Sequence, residues 1–255
     1  MEKPLVSDKS YLGKIITKYQ TNELGAKAKV NAIVPILKRW AGSYFKEAIY
    51  TGSIAKGTTI SLSADADIFI SLSPVTPTNI RQIYTTLFNT FTKKDYPARM
   101  QDFSIGISVE GCNIDLVPGK RLSEQNYDHI LYNKKTNSRL KTNVKTHVSL
   151  VTQANRSNEI KLTKIWSHLN KLQFPSFYLE MAVIDCLSGR SSSDLNENFW
   201  RVISFMASKF INKSYADPSN PNNIISDNLT KTEKQAIQNA AQLAQSQPNW
   251  EYVIW

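Results

Sequence analysis

YTGSIAKGTTISLSADADIFISL, residues 50–72, decides how this chain is read. A Gly-Ser pair, Gly52-Ser53, follows a short apolar run. After an interval of eleven residues, Asp65 and Asp67 alternate with alanines and lead into Ile68-Phe69-Ile70. Period-2 alternation predicts a strand over 66–72, and residues two apart on a strand share a face. Asp65 and Asp67 therefore point the same way. Two carboxylates side by side repel each other, and a divalent cation between them removes that cost. Hard oxygen ligands in this pattern suit Mg²⁺.

Working outward, Ala48–Thr51 reads as the strand that delivers the Gly-Ser pair. Helices are expected over 7–20 and 25–41, the second with Val30, Ile33, Val34, Leu37 and Trp40 on one stripe and Gly42 as its stop. Pro35 lies inside that stripe and predicts a kink or two pieces. After Pro74 and Pro77, a helix opens at Thr78 with Ile80, Ile83, Tyr84 and Leu87 on one face. MQDFSIGISVEGCNIDLVP, residues 100–118, reads as a hairpin turning at Glu110-Gly111, and a third acid, Asp115, sits on the returning strand. Residues 129–132 and 138–141 are expected to pair. From 143 onward helices dominate: 143–172, broken near 154–157, then 177–187, 199–210 and 230–246. DPSNPNN, residues 217–223, reads as a rigid turn. The expected fold class is α+β: a catalytic lobe with a small mixed sheet over 1–135, its N-terminal helices able to pack on the second lobe, and a C-terminal helical lobe over 136–255.

The 255 residues are 41% hydrophobic, enough for a buried core, and carry a formal charge of +10. That charge favours polyanionic partners, with RNA or DNA compatible. The N-terminus lacks the apolar stretch of a signal peptide, and no run of about 18 apolar residues predicts a membrane span. Two cysteines make neither a disulfide framework nor a metal spacing. A cytoplasmic protein is expected.

Gly-Ser, a spacer, an acidic–apolar–acidic strand and a third acid, in that order, resemble the nucleotidyltransferase superfamily typified by DNA polymerase β. The resemblance implies that Asp65, Asp67 and Asp115 are catalytic and hold two Mg²⁺ ions, with Mn²⁺ as an alternative. It places Gly52 and Ser53 at the β/γ-phosphates of a nucleoside triphosphate, where glycine lets phosphate approach the main chain. Lys56 and Thr58-Thr59 in the same loop are further phosphate candidates.

The second half chooses within the superfamily. Lys161 and Lys164 lie one helical turn apart and suit a triphosphate clamp. FPSFYLEM, residues 174–181, offers Ser176 for phosphate and Phe177 or Tyr178 for base stacking. With KTNVKTH, residues 141–147, these stretches are similar to the branch that holds the oligoadenylate synthetases, cyclic GMP-AMP synthase and the bacterial CD-NTases. In that branch two lobes face each other across a nucleotide cleft. Three histidines and two cysteines, scattered, do not supply a zinc insertion of the metazoan sensor type.

The resemblance implies a metal-dependent, template-independent enzyme. It would join NTPs or dNTPs, with ATP or dATP favoured, into a cyclic or linear oligonucleotide signal and release pyrophosphate. Antiviral (anti-phage) defence through a separate effector protein, answering the product as a second messenger, follows from the same branch. Two alternatives stand beside it. One transfers nucleotides to an RNA 3′ end or to a protein hydroxyl, including the chain's own Tyr252 in the aromatic tail QPNWEYVIW. The other is a catalytically silent nucleotide-binding module, which the three acids disfavour.

Overall fold

The computed structural model describes residues 10–63, 65–191 and 193–255, leaving out the side chains of residues 23, 24 and 26. The chain divides into two compact units. One holds Asn22–Lys56 and Ala64–Val148; the other holds Met1–Thr21, Gly57–Ser63 and Ser149–Trp255.

α1 spans Tyr11–Lys18 and α2, the first helix of the sheet unit, spans Glu23–Ala41. β1 (Phe45–Tyr50), the short α3 (Gly52–Lys56) and β2 (Ala66–Leu72) follow, then α4 (Ile80–Thr92), β3 (Ala98–Met100), β4 (Ile105–Val109), β5 (Cys112–Arg121), β6 (His129–Asn133) and β7 (Ser138–Thr142). Among the described residues, seven strands form one mixed sheet. Its main path runs β1-β2-β5-β4-β3, with β6 and β7 extending from β5. β2 and β5 are parallel and β1 is antiparallel to β2.

Alternation builds this sheet. Ile68, Ile70 and Leu72 of β2 join Ile114 and Leu116 of β5 in one apolar cluster, packed with Val30, Ile33 and Leu37 of α2 and Ile83, Tyr84, Leu87 and Phe91 of α4. The opposite face of the same two strands carries Asp67 and Asp115. Asn79 caps α4 by accepting from the Gln82 amide at 3.0 Å, so this helix starts two residues later than Thr78. Pro35 does not split α2, which runs unbroken through it. Its buried stripe, docked on the sheet unit's core, outweighs the lost hydrogen bond. Glu110 and Gly111, both at positive φ (48° and 76°), make the expected two-residue hairpin turn.

The other unit is helical. α1 packs with α5 (Val144–Gln153, which begins in the sheet unit and ends here), α6 (Ser157–Leu169), α7 (Ser176–Cys186), α8 (Leu195–Ser208) and α9 (Lys231–Gln245) around one apolar cluster that includes Leu12, Ile15, Ile60, Trp166, Tyr178, Phe199, Phe210 and Trp250. Thr230 and Glu233 close a capping box on α9. DPSNPNN is not a bare turn. It forms the hairpin β8 (Ala216–Asp217) and β9 (Asn220–Ile224), organised by Asp217, 4% exposed, whose carboxylate accepts from the Ser219 amide and hydroxyl and from Asn223.

The boundary expected at residue 135 falls instead at 148/149, because β7 pairs with β6 along its whole length and stays with the sheet. The first expected helix starts at Tyr11; residues 7–9 of that reading lie outside the described residues. Residues 57–63 also belong to the helical unit, although they directly follow the Gly-Ser helix.

Candidate active site

The sheet places Asp67 and Asp115 directly opposite each other on adjacent parallel strands. Partners in parallel register lie on the same face. The same row continues from Asp115 to Gly106 on β4 and Arg99 on β3. Asp65 stands one residue before β2 and is exposed. The Asp-x-Asp pair therefore straddles the strand's first residue rather than lying wholly within it.

Gly52 meets a further demand that the sequence did not show. Its φ is +56°, and a Cβ there would lie 1.7 Å from Oδ2 of Asp67. Glycine is required because the Asp67 carboxylate rests against the backbone at this point. The Thr51 amide donates to the Asp67 carbonyl at 2.8 Å and draws the Gly-Ser turn onto β2. Ser53 is partly buried in the first turn of α3, a helix of only five residues.

Burial, reinforced by the negative charge of Asp65, raises the pKa of Asp115; Arg99 and a hydrogen bond from Gln101 oppose that rise. Among the described residues, no three His, Cys, Asp or Glu side chains converge as a ready-made metal cluster. The donor set nevertheless fits a hard divalent cation: two carboxylates in register on one face, a third close enough to act on Asp115, and oxygen donors throughout.

The helical unit handles its charges differently. Lys164, 4% exposed, donates to Glu180 at 2.7 Å and to Thr58 at 3.0 Å, and the Thr58 hydroxyl donates to Glu180 at 3.2 Å. Thr58 and Glu180 are both 0% exposed. Thr58 is thus held by a buried ion pair and does not stand in an open phosphate loop. Lys161 is partly buried, Ser176 exposed and Phe177 partly buried.

Tyr178 is 0% exposed, with its ring among Phe174, Phe210 and Tyr215 at centroid distances of 5.1–5.6 Å. It is a core residue, which corrects its expected role as a stacking platform. At the C-terminal end, Trp250, Val253 and Ile254 are buried while Tyr252 is 65% exposed. The Tyr11 hydroxyl donates to the Ile254 carbonyl at 2.9 Å and fastens this segment to α1.

Four residues escaped the sequence reading: Gln101, Ser104, Glu180 and Arg99. Glu180 left one signal, a carboxylate amid the apolar helix SFYLEMAVIDC, where burial demands a partner. Gly106, a glycine inside a strand, marked a close approach by a neighbouring group.

At the level of sequence, the chain matches no family model and none of the curated proteins with which it was compared. Solved structures are similar over nearly its whole length. CdnC of E. coli MS115-1, solved with ATP, is 19% identical, with 93% of this chain and 90% of that chain covered and a TM-score of 0.77. The CD-NTase CdnG of Bradyrhizobium diazoefficiens, in complex with GTP, is 13% identical, with 96% and 94% covered and a TM-score of 0.77. A Cid1 poly(U) polymerase variant bound to MgATP is 11% identical, with 92% of each chain covered and a TM-score of 0.68. The fold is the one seen in CdnC, in the CD-NTase CdnG and in the Cid1 poly(U) polymerase. No helix among the described residues is long and apolar enough to cross a membrane.

Proposed function

We propose that this chain is a metal-dependent, template-independent nucleotidyltransferase that joins NTPs or dNTPs into a cyclic or linear oligonucleotide and releases pyrophosphate. The observation that carries this reading is the in-register pairing of Asp67 with Asp115 beside Gly52, on a fold shared with CdnC and CdnG.

In this reading Asp67 and Asp115, with Asp65 at the strand entry, would hold Mg²⁺ or Mn²⁺, which when bound would neutralise charge at the reacting phosphorus and leaving group. Backbone amides around Gly52-Ser53 and the Ser53 hydroxyl bind the β/γ-phosphates. Asp115, whose proton affinity burial raises, takes up the acceptor hydroxyl's proton at the carboxylate oxygen that Gln101 leaves unengaged. Lys161 and Ser176 bind phosphate, and Phe177 stacks on the base in place of Tyr178. Lys164 acts with Glu180 to fix Thr58, its charge already matched. ATP is the favoured donor, in keeping with the ATP complex of CdnC. The product acts as a second messenger on a separate effector in anti-phage defence, the setting implied by the CD-NTase likeness.

A second reading, extension of an RNA 3′ end, rests on the likeness to Cid1 and on the +10 charge. One experiment separates the readings. The protein is incubated with all NTPs and dNTPs and Mg²⁺ or Mn²⁺, with and without a labelled RNA, and soluble products and intact protein are weighed by mass spectrometry. Free oligonucleotide with an unchanged protein mass is expected. RNA lengthening alone selects the second reading, and a mass gain on the protein selects a protein hydroxyl such as Tyr252. No nucleotide consumption under any condition overturns all three.

A further inference from the structure

Gln101 directly follows β3, and its side chain reaches across to β5. Its Nε2 donates to Oδ1 of Asp115 at 3.1 Å. Its Oε1 accepts from the Ser104 hydroxyl at 2.7 Å. Its backbone amide donates to the Ser104 carbonyl at 2.9 Å, and its carbonyl accepts from the Tyr84 hydroxyl at 2.6 Å. The Asp115 carboxylate, when ionised, only accepts, so it takes the NH₂ end of the amide; Oε1 is then left to accept from the Ser104 hydroxyl, and that second bond holds the amide in place.

Gly106 makes this reach possible. It lies between Arg99 and Asp115 in the cross-strand row, and a Cβ there would stand 2.7 Å from Gln101 Nε2 and 2.8 Å from Arg99 Nε. Any other residue at 106 would push the amide off the carboxylate.

We infer that Gln101, locked by Ser104 and seated over Gly106, is a positioning residue that fixes the Asp115 carboxylate for cation binding. The inference rests on the function proposed above. A neutral amide suits this task. It fixes one carboxylate oxygen and leaves the negative charge in place, whereas a lysine or arginine bonded at the same point would cancel the charge that the cation requires. Outer partners of this kind, when removed, typically weaken metal affinity or activity about 10–100-fold.

The test uses the full chain. Mn²⁺ binding is followed by the loss of the free-ion EPR signal, and nucleotide turnover is measured separately. Gln101→Met keeps length and removes the donor; Ser104→Ala keeps Gln101 and frees its amide to rotate. Gln101→Met is expected to weaken Mn²⁺ binding at least about 10-fold and to lower kcat, leaving the KM for nucleotide within about twofold, and excess Mn²⁺ should restore much of the rate. Ser104→Ala should move both quantities the same way by less.

Wild-type Mn²⁺ affinity in Gln101→Met overturns the inference while a turning-over wild-type protein keeps the proposed function. A wild-type protein that consumes no nucleotide overturns the proposed function, and the Mn²⁺ titration then decides the inference alone. If Gln101→Met fails to fold, unchanged Mn²⁺ affinity in Ser104→Ala overturns it.

Discussion

Asp115 in the sheet unit and Glu180 in the helical unit are both carboxylates withdrawn from water, and the chain treats them in opposite ways. Glu180 is 0% exposed and receives an ammonium at 2.7 Å and a hydroxyl at 3.2 Å. Its charge is closed by the fold. Asp115 receives one neutral amide, sits within the field of Asp65, and has Arg99 near enough to offset only part of the cost, so its pKa stays raised. Its charge is matched only in part. A buried charge that the fold itself matches maintains structure, and breaking the match costs stability. A charge that the fold concentrates and matches only in part is a place to bring a ligand.

Exchanging the two kinds of loss is the most direct way to break this contrast. Asp67→Asn is expected to cut nucleotide turnover at least about 1,000-fold, because a metal site supplies several kcal/mol at the transition state. Its circular dichroism and unfolding midpoint should stay at wild-type values or rise. Glu180→Ala is expected to do the reverse kind of damage: it leaves the Lys164 ammonium buried and unpaired, and urea unfolding should report a loss of about 3–5 kcal/mol. Replacing both partners, Lys164→Met with Glu180→Met, should recover most of that loss. If Glu180→Ala unfolds at the wild-type urea concentration, the closed-charge reading of the helical unit is wrong.

A buried group with only neutral hydrogen-bond partners sharpens the comparison further. His129, 0% exposed, donates from Nδ1 to the Tyr127 carbonyl at 2.7 Å and accepts at Nε2 from the Ser71 hydroxyl at 2.8 Å. Burial lowers its pKa from 6.5 to about 4. The unfolded chain therefore binds a proton between pH 6.5 and 4 that the native state refuses. Stability is full above pH 6.5 and falls as pH drops through that window, by about 3 kcal/mol in all. His129→Gln should flatten that part of the stability–pH curve, read by urea unfolding at each pH. The smallest effect is expected from Thr58→Val. It removes one hydroxyl from the Lys164–Glu180 pair and should cost about 1 kcal/mol in the same measurement.

What could be read from the sequence was what short-range periodicity encodes. Alternation located β2 and β5 and put three acids on or beside them; helical stripes located α4, α6 and α9. Partners far apart in the chain were out of reach. Thr58 and Glu180 are 122 residues apart, and no local pattern joins them. Gln101 meets Asp115 only because β3, β4 and β5 are neighbours in the sheet. Phe177 and Tyr178 are adjacent on a helix, where successive side chains point about 100° apart, so one can enter the core while the other does not. The letters FY do not say which. The glycine of Gly-Ser was legible as a requirement, but its cause, the Asp67 carboxylate, was not.

The chain changes units four times, after Thr21, Lys56, Ser63 and Val148. A ribosome making it therefore delivers pieces of the helical unit early and late. α1 emerges before the sheet unit, yet the Ile254 carbonyl that its Tyr11 binds is 243 residues downstream. The Gly57–Ser63 segment likewise waits for Lys164 and Glu180. The sheet unit can close once residue 148 is out; in the helical unit the 57–63 segment meets the end of α1 early, the Ser61 amide donating to the Tyr19 carbonyl at 2.8 Å, but most of the apolar cluster that covers Leu12 and Ile15 comes from residues after 148. Cutting the protein into two halves at any single peptide bond would separate neither unit cleanly, so a split version should regain function only when both fragments are supplied together.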